Sequence, residues 1–435
     1  MTHVFRRVIG RDLPRAASAH GAWIVDTDGR RYLDAAGGAI VVNVGHGDPA
    51  LLAAMAEQAK AVDYVHGTAF TTDALEAWAD DLAPLLPMED ARIYPVSGGS
   101  EAVETALKMA RAYHAVRGEA ERDVVIGRRG SYHGNTVGAL DASGKEPLRA
   151  PYAPWLGRFH HVDAAYEYRC TMPEHPHACG AALAQQLERA ILDLGPGRVA
   201  AFIAEPVAGA TLAGAVPPPD YWPAVQEVCR RHGVLVVADE VMTGFGRTGR
   251  WFASEHFGLR PDLLTSAKGA TGGVFPFGFA AASGAVAETI TRKPFVHGFT
   301  WSHNGVGAAV AHAALRRLRD GRLVEAADEG GAALLEDLRE RLTDHPNVGD
   351  VRGIGMLLGI ELVADRASRA PFPRSEKVTE RVLAAARDRG LLLYSSTGHV
   401  DGDGDLLVLG PPLGLTAEER GLVVERAGDA ISATL

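Results

Sequence analysis

Short apolar segments alternate with amphipathic helical patterns through the middle of the chain. The helical spacing is clearest over 101–116, where Val103, Ala106 and Ala110 recur at intervals of three or four residues. A second helix is predicted over 221–232. Unbroken apolar strands between such helices are typical of a parallel sheet covered on both faces. The strands are predicted at 92–96, 124–126, 199–204, 234–238, 263–266 and 277–282.

The two ends of the chain have a different pattern. Residues 22–33 resemble a β-hairpin whose turn contains Asp28 and Gly29, and a long alanine-rich helix is expected after Gly305. We therefore expect a large α/β domain over 61–304. A smaller α+β domain would be built from both termini, 1–60 and 305–435.

Charge and composition exclude several classes of function. The net charge of −10 argues against nucleic acid as a partner, since binding a phosphate backbone needs a basic surface. The chain has no apolar run of about eighteen residues, so no membrane-spanning helix is expected. Its first twenty residues carry several arginines and no apolar core, unlike a signal peptide. Three cysteines, an odd count in a long chain, favour a reducing, cytoplasmic location.

Lys268 is the most informative single residue. Lysines are few in this chain, and this one follows the apolar segment 263–267 where glycine-rich backbone begins. Such surroundings lower the pKa of an ammonium group because desolvation disfavours its charged form. An uncharged amine can attack an aldehyde, so Lys268 is a candidate for covalent catalysis, against the alternative of an ordinary lysine at a strand end.

Other candidate residues follow the neighbouring strands, where open α/β sheets bind ligands. Gly98, Gly99 and Ser100 open a helix, and free N–H groups at a helix start attract phosphate; the alternative is that Ser100 is a plain N-cap. Asp239 follows a continuous apolar strand and would need a cationic partner there, such as a protonated pyridine nitrogen. Its alternative role is a cap.

Glu205 is a second carboxylate at the same edge, and Tyr132 and His133 lie near the strand 124–126. An aromatic ring such as that of Tyr132 could stack on a flat cofactor or belong to the core. A phosphate site, a buried carboxylate, a stacking ring and a desolvated lysine together indicate a pyridoxal 5′-phosphate site.

Three other motifs are weaker. Residues 244–249 match the GxGxxG pattern of dinucleotide-binding proteins, but a poor helix start follows them. Residues 138–145 resemble a P-loop with one residue too many. The segment from Cys170 to Cys179 contains two histidines, yet its spacing matches no zinc pattern. We expect reduced thiols in a loop there and no metal.

Six segments of the chain match the motifs of a known enzyme family. Residues 97–106, 131–136, 205–207, 239–249, 267–269 and 298–300 resemble, in order and spacing, the class III (omega-type) aminotransferases. The resemblance implies the fold of the fold-type I pyridoxal phosphate enzymes, which work as homodimers with the active site at the interface. It also implies amino-group transfer from an amine or amino acid to a keto acid by a ping-pong mechanism.

The resemblance implies a role for each site residue. The catalytic residues would be Lys268, forming the internal aldimine and carrying the proton, Asp239, pairing with the pyridinium, and Glu205, lying near the cofactor hydroxyl and the substrate. The remaining cofactor contacts would come from Gly99 and Ser100 at the phosphate, Tyr132 and Val241 on the two ring faces, His133, and Thr300 of the partner subunit.

Two positions depart from the family pattern. Met242 stands where many members carry a glutamine that contacts the phenolic oxygen of the cofactor. Val408 stands where members using glutamate or 2-oxoglutarate often carry an arginine. Without that arginine, a dicarboxylate partner is less expected and Glu205 is left without its usual cationic neighbour.

The substrate and the exact reaction stay open at this level. Decarboxylation, epimerisation or amino-group migration on the same scaffold is the alternative to simple transamination, and an inactive cofactor-binding relative is a further one. The candidate substrate-pocket residues, each of which could equally be packing, are Gly38, Ala39, Ile40, Tyr64, His66 and Trp301.

Overall fold

The computed structural model describes residues 3–8, 10, 12–173, 175 and 177–435. Met1, Thr2, Ile9 and Arg11, which belong to the segment considered for a signal peptide, lie outside the described residues, as do Glu174 and Pro176 of the cysteine-containing loop. Within the described part, no helix is long and apolar enough to cross a membrane.

The elements alternate as the sequence predicts. The strands are β1 Ala16–His20, β2 Trp23–Asp26, β3 Arg31–Asp34, β4 Arg92–Val96, β5 Val124–Arg128, β6 His160–Val162, β7 Val199–Ala204, β8 Leu235–Asp239, β9 Leu263–Ser266, β10 Gly278–Ala282, β11 Val348–Ile354, β12 Leu357–Leu362, β13 Leu391–Leu392, β14 Tyr394–Val400 and β15 Asp403–Leu409. The helices are α1 Gly37–Ile40, α2 Pro49–Ala61, α3 Asp73–Leu82, α4 Gly99–Val116, α5 Val137–Ala142, α6 Glu146–Arg149, α7 Cys179–Leu194, α8 Tyr221–His232, α9 Gly284–Ile290, α10 Gly305–Asp320, α11 Leu323–Leu342, α12 Val378–Asp388 and α13 Ala417–Ser432.

The central sheet has seven strands in the order β4-β10-β9-β8-β7-β5-β6. Its pairs are parallel except those of β10, which runs antiparallel to both neighbours. The predicted mostly parallel α/β sheet is therefore confirmed. All residues of β7 and β8 are buried, as expected for strands covered on both faces.

The side chains of β7 alternate between two apolar cores. Ala201 and Ile203 pack with residues of α4 on one face of the sheet, whereas Phe202 and Ala204 pack with α7 and α8 on the other. This alternation follows from the two-residue period of a strand. It explains why β7 reads as a continuous apolar run.

The two ends of the chain meet in a second sheet, β1-β2-β3-β13. The predicted hairpin is present as β2 and β3, which pair antiparallel, and β13 adds in parallel, with Leu391 opposite Leu33. A third sheet, β11-β12-β15-β14, is antiparallel. The division of the chain into domains at residues 61 and 305 stays a prediction.

Several candidate site residues lie at one edge of the central sheet. The carboxyl ends of β5, β7, β8 and β9 lie at this edge because these strands are parallel. The antiparallel strand β10 separates β4 from β9, so β4 ends at the same edge. Arg128 and Asp239 are the last residues of β5 and β8, and Glu205 and Lys268 follow β7 and β9.

Candidate active site

Lys268 begins a tight turn directly after β9. Its backbone has a φ of 44°, in the left-handed region that few non-glycine residues adopt. The side chain is half-buried, and its desolvation lowers the pKa of the amine to about 8, although Asp239 and Glu205 favour its charged form. The structure thus gives Lys268 the depressed pKa that the sequence predicts.

Asp239 lies buried beside this lysine, at the end of β8. Its Oδ2 accepts a hydrogen bond from Nδ1 of His133 at 2.6 Å. Its Oδ1 accepts from the backbone N–H of Val241 at 3.0 Å and from Thr265 Oγ1 at 3.2 Å. Three hydrogen bonds, from the loop after β5, the turn after β8 and strand β9, therefore hold this carboxylate. Nε2 of His133, also buried, has no partner among the described residues.

The start of α4 forms an uncapped helix end. The helix begins at Gly99 and its N-cap is Gly98, which has no side chain to cap the first turn. Ser100 therefore lies inside the helix, and its alternative role as the N-cap is wrong. Its Oγ instead accepts from the N–H of Asn135 at 3.1 Å. The N–H groups of this turn are available to an anion.

Glycine is required at two positions around this helix end. A Cβ at Gly99 would lie 2.9 Å from Cγ1 of Val241, which leaves no room for it. A Cβ at Gly134, whose φ is 138°, would lie 2.5 Å from Oγ of Ser100. Both glycines therefore keep open the space in front of the helix start.

Glu205 has a cationic neighbour, Arg128, that was not predicted from the sequence. Arg128 Nη2 donates to the backbone oxygen of Glu205 at 2.6 Å and lies 3.4 Å from its Oε2. Both side chains are buried, and Oε1 accepts from the N–H of Tyr132 at 3.2 Å. The arginine that usually neighbours Glu205 is absent, as the sequence indicates, but Arg128 supplies another cation. Strand β5 extends two residues beyond the predicted 124–126 and ends at this arginine.

One cavity of about 180 Å³ is lined by nearly all the predicted site residues. These are Gly99, Ser100, Tyr132, His133, Glu205, Asp239, Val241 and Lys268. Met242, the first departure from the family pattern, also lines it. An uncapped helix start can bind a phosphate, and a buried carboxylate can pair with a pyridinium. A lysine with a lowered pKa can attack an aldehyde. The residues present therefore fit pyridoxal 5′-phosphate.

Thr300 lies elsewhere, on an exposed segment before α10. Its carbonyl accepts a hydrogen bond from Tyr64 Oη at 3.0 Å, and the Tyr64 ring contacts Trp301 edge to face at 5.5 Å. Of the candidate substrate-pocket residues, Ala39 lines the cavity that adjoins the lysine. Tyr64, His66 and Trp301 are exposed.

Position 408, where the arginine of related enzymes is absent, is buried. Val408 lies near the end of β15, fully buried, in an apolar cluster with Ile40, Val207 and Leu357. Ile40, another pocket candidate, thus belongs to packing in this chain. In this chain, position 408 therefore supplies an apolar side chain to the core and no cation to the cavity.

The weaker motifs have structural explanations. Residues 244–249 form buried turns and are followed by a short 3₁₀ helix at Ala253–Phe257, not by the long helix of a dinucleotide site. The ligand atoms of Cys170, His175 and Cys179 lie within 4.8 Å of one another. A structural zinc site has four ligands and this group offers three, so the expected absence of a metal stays a prediction.

Known proteins with similar sequences and folds match nearly the whole chain. The family model of the class-III aminotransferases matches residues 12–431. YodT, an uncharacterised aminotransferase of Bacillus subtilis, is 34% identical over 97% of this chain and 95% of its own. The putrescine–pyruvate aminotransferase of Pseudomonas aeruginosa is 35% identical, over 91% and 85%. A thermostable (S)-enantioselective omega-transaminase from Thermomicrobium roseum superposes with a TM-score of 0.93 and 37% identity, over 100% of this chain and 97% of that one.

Proposed function

The chain belongs to the class III aminotransferases, enzymes of fold type I that use pyridoxal 5′-phosphate, and on that premise we propose how its residues carry the reaction. The amino group would move from an amine or amino acid to a keto acid, with Lys268 as the catalytic residue. The observation that carries this proposal is that Lys268, Asp239 and the start of α4 line one cavity.

Each part of the cofactor has a matching group in the cavity. The helix start at Gly99 and Ser100 would hold the phosphate, and Tyr132 and Val241 would contact the two ring faces. Asp239 would hold the ring nitrogen, and the Lys268 amine would attach the aldehyde carbon. When bound there, pyridoxal phosphate supplies an electron sink for the carbon that loses a proton.

Lys268 Nζ is the proton carrier in this proposal. With a pKa of about 8, roughly one tenth of the free amine is uncharged at pH 7. With the cofactor bound and Nζ free, Nζ would take the proton from the substrate carbon that carries the amino group. It would then deliver this proton to the cofactor carbon. The half-buried position of Lys268 limits its contact with water, and Asp239 would stabilise the positive charge of the protonated ring nitrogen.

A buried carboxylate needs hydrogen-bond donors to replace the water it has lost, and Asp239 has three of them. His133 Nδ1, Thr265 Oγ1 and the Val241 N–H supply three hydrogen bonds to it. Glu205, held by Arg128, would fix the position of Tyr132 by accepting a hydrogen bond from its backbone N–H. These residues position the chemistry that Lys268 performs.

The test replaces the catalytic lysine. Lys268→Ala is expected to lose at least about 100-fold in amino transfer, measured with a panel of amines and amino acids against pyruvate and 2-oxoglutarate. The matched control is Lys108→Met, because Lys108 is exposed on α4. Comparable turnover by Lys268→Ala and the control would refute the assignment.

We also propose a homodimer in which Thr300 completes the partner's phosphate site. Thr300 and Tyr64 are hydrogen-bonded, and their segments, 62–70 and 296–301, carry exposed apolar side chains: Val62, Tyr64, Phe70, Val296 and Trp301, of which Val296 is 94% exposed. Large exposed apolar patches favour a protein interface. The contact between Tyr64 and Trp301 joins two segments of this surface.

Mixing two inactive variants tests the shared site. A hybrid dimer of Lys268→Ala and Thr300→Glu chains has one site with both Lys268 and Thr300 intact. Mixing is therefore expected to restore activity that neither variant has alone. A chain that stays monomeric in sedimentation, or mixtures as inactive as their components, would contradict a shared site.

The proposed location is the cytoplasm. Cys170, Cys179 and Cys229 are all free thiols. Burial raises the pKa of Cys179 to about 12, so its thiol is unreactive at neutral pH. Free thiols of this kind are typical of proteins in reducing compartments.

A further inference from the structure

A second cavity, of about 440 Å³, adjoins the one that contains Asp239. Both cavities are lined by Tyr132, Met242 and Lys268. A substrate bound at the lysine therefore has room to extend into the second cavity. Its other walls include four consecutive residues of β14, Tyr394 to Thr397, and Lys145. The second cavity is therefore the space available to the part of the substrate that does not react.

Lys145 brings a positive charge into this wall. It precedes α6 and is half-buried, and its Nζ donates a hydrogen bond to Ser396 Oγ. The Ser396 hydroxyl is buried and donates in turn to the backbone oxygen of Thr211 at 3.0 Å. This chain of hydrogen bonds fixes the ammonium group at the cavity.

No carboxylate among the described residues lies within 4.0 Å of Lys145 Nζ. The acidic side chain that lines the same cavity, Glu380, forms an ion pair with Arg374. Burial without an acidic partner lowers the pKa of Lys145 to about 8. A partly buried cation of this kind is stabilised by any anion that enters.

The rest of the cavity offers few other cations. Position 408 is closed by buried Val408. Lys268 is committed to the reacting end of the substrate. Arg7, which also lines the cavity, is exposed and lies in the N-terminal segment, where solvent weakens an ion pair. Lys145 is thus the cation in this wall that combines burial with a fixed position.

We propose that Lys145, held by Ser396, binds the carboxylate of the keto acid or amino acid substrate. The inference rests on the proposed aminotransferase function and names its substrate class. The carboxylate would accept hydrogen bonds from Nζ, which has two further protons to donate beside the one given to Ser396. The chain thereby replaces the arginine that related enzymes carry with a lysine from another element.

Lys145→Gln in the holoenzyme tests this assignment, because glutamine removes the charge but can still bond Ser396. We compare pyruvate with acetaldehyde, which is pyruvate without its carboxylate. The kcat/KM for pyruvate is expected to fall about 10- to 100-fold, mostly through KM, since hydrogen bonds to charged groups are the stronger ones. The kcat/KM for acetaldehyde is expected to change less than about twofold.

Two further measurements separate binding from folding. The Kd of propionate, a carboxylate with no reacting carbonyl, is expected to rise about tenfold in Lys145→Gln and to recover in Lys145→Arg. The control Lys108→Met should leave both quantities unchanged. Equal losses with pyruvate and acetaldehyde, or no loss with either, would overturn the role of Lys145. A wild-type enzyme that transfers no amino group at all would overturn the proposed function instead.

Discussion

Asp239 and Glu240 are adjacent in sequence, yet their environments give them different tasks. Asp239 lines the cavity of Lys268. Glu240 is fully buried away from it and accepts hydrogen bonds from the N–H groups of Ala253 and Ser254, at 3.0 and 2.7 Å, and from two hydroxyls. Desolvation raises the pKa of Glu240. The first carboxylate faces the cavity, where we propose that it serves the reaction, and the second holds the segment at Ala253 and Ser254 in place.

Matched amide substitutions should separate these tasks. Asp239→Asn is expected to lower kcat on the order of 100-fold with little change in thermal unfolding, because an amide cannot stabilise a positive charge. Glu240→Gln is expected to keep kcat but lower the free energy of unfolding by about 1–3 kcal/mol, since it breaks buried hydrogen bonds. Turnover assays and denaturant titrations on both variants check this, and a reversed pattern would exchange the two roles.

The pKa of Lys268 predicts how cofactor attachment depends on pH. Its ammonium form, which cannot attack an aldehyde, prevails below a pKa of about 8. In the cofactor-free protein, attachment of added pyridoxal phosphate should therefore accelerate about tenfold per pH unit and level off near pH 8. Stopped-flow absorbance measures this rate. A midpoint near the ordinary lysine pKa would show that desolvation does not act in solution.

The sequence revealed these residues because chemistry depends on residue type as well as on position. A lysine in apolar surroundings and an aspartate after an apolar strand are conspicuous without a structure. Arg128 was missed, since Gly127 and Arg128 do not look like strand residues. Lys145 was noted only within a failed P-loop match, because its partner Ser396 is 251 residues away.

At the scale of elements, the strand–loop–helix unit β4–α4 forms the proposed phosphate site. The sequence predicted β4, β7 and β9 with their observed bounds. For β7 and β9 the reason is that their continuous apolar runs are buried on both faces of the sheet. It placed the start of α4 two residues late, at 101, because glycines are poor helix formers. Those two residues, Gly99 and Ser100, are the ones that face the ligand space.

Gly99→Ala tests the close approach between α4 and the turn after β8. The new methyl would lie 2.9 Å from Val241 Cγ1, so the helix start or the valine must shift. We expect the Kd of pyridoxal phosphate to rise about tenfold, measured by equilibrium titration of the cofactor-free protein. Gly421→Ala on α13 is the control, since a Cβ there meets nothing within 4 Å. Unchanged affinity in Gly99→Ala would show that the helix start does not hold the phosphate.

At the scale of the whole molecule, distant parts of the chain meet around the site. The parallel pairing of β3 with β13 joins residues more than 350 positions apart. The sequence predicted a contribution of both termini from their local patterns, a hairpin at one end and a long helix towards the other. It could not predict this pairing, because local patterns carry no information about a partner so far along the chain.

Arg247 connects these parts through its guanidinium group. It is fully buried and donates to Asn43 Oδ1 at 2.6 Å, to the backbone oxygen of Met356 at 3.1 Å and to that of Pro411. Its partners belong to the N-terminal segment, the β11–β12 turn and the segment after β15. One side chain thus satisfies three acceptors that no water can reach.

Arg247→Met should therefore destabilise the molecule as a whole. Methionine keeps much of the volume but leaves these acceptors unpaired, so we expect a loss of about 3–5 kcal/mol. Urea unfolding, followed by fluorescence and by cofactor release, measures it. The control Arg292→Met removes an exposed arginine whose ion pair with Glu288 spans 3.7 Å, and should cost less than about 1 kcal/mol. If Arg247→Met unfolds at the wild-type urea concentration, other contacts hold the ends of the chain at the site.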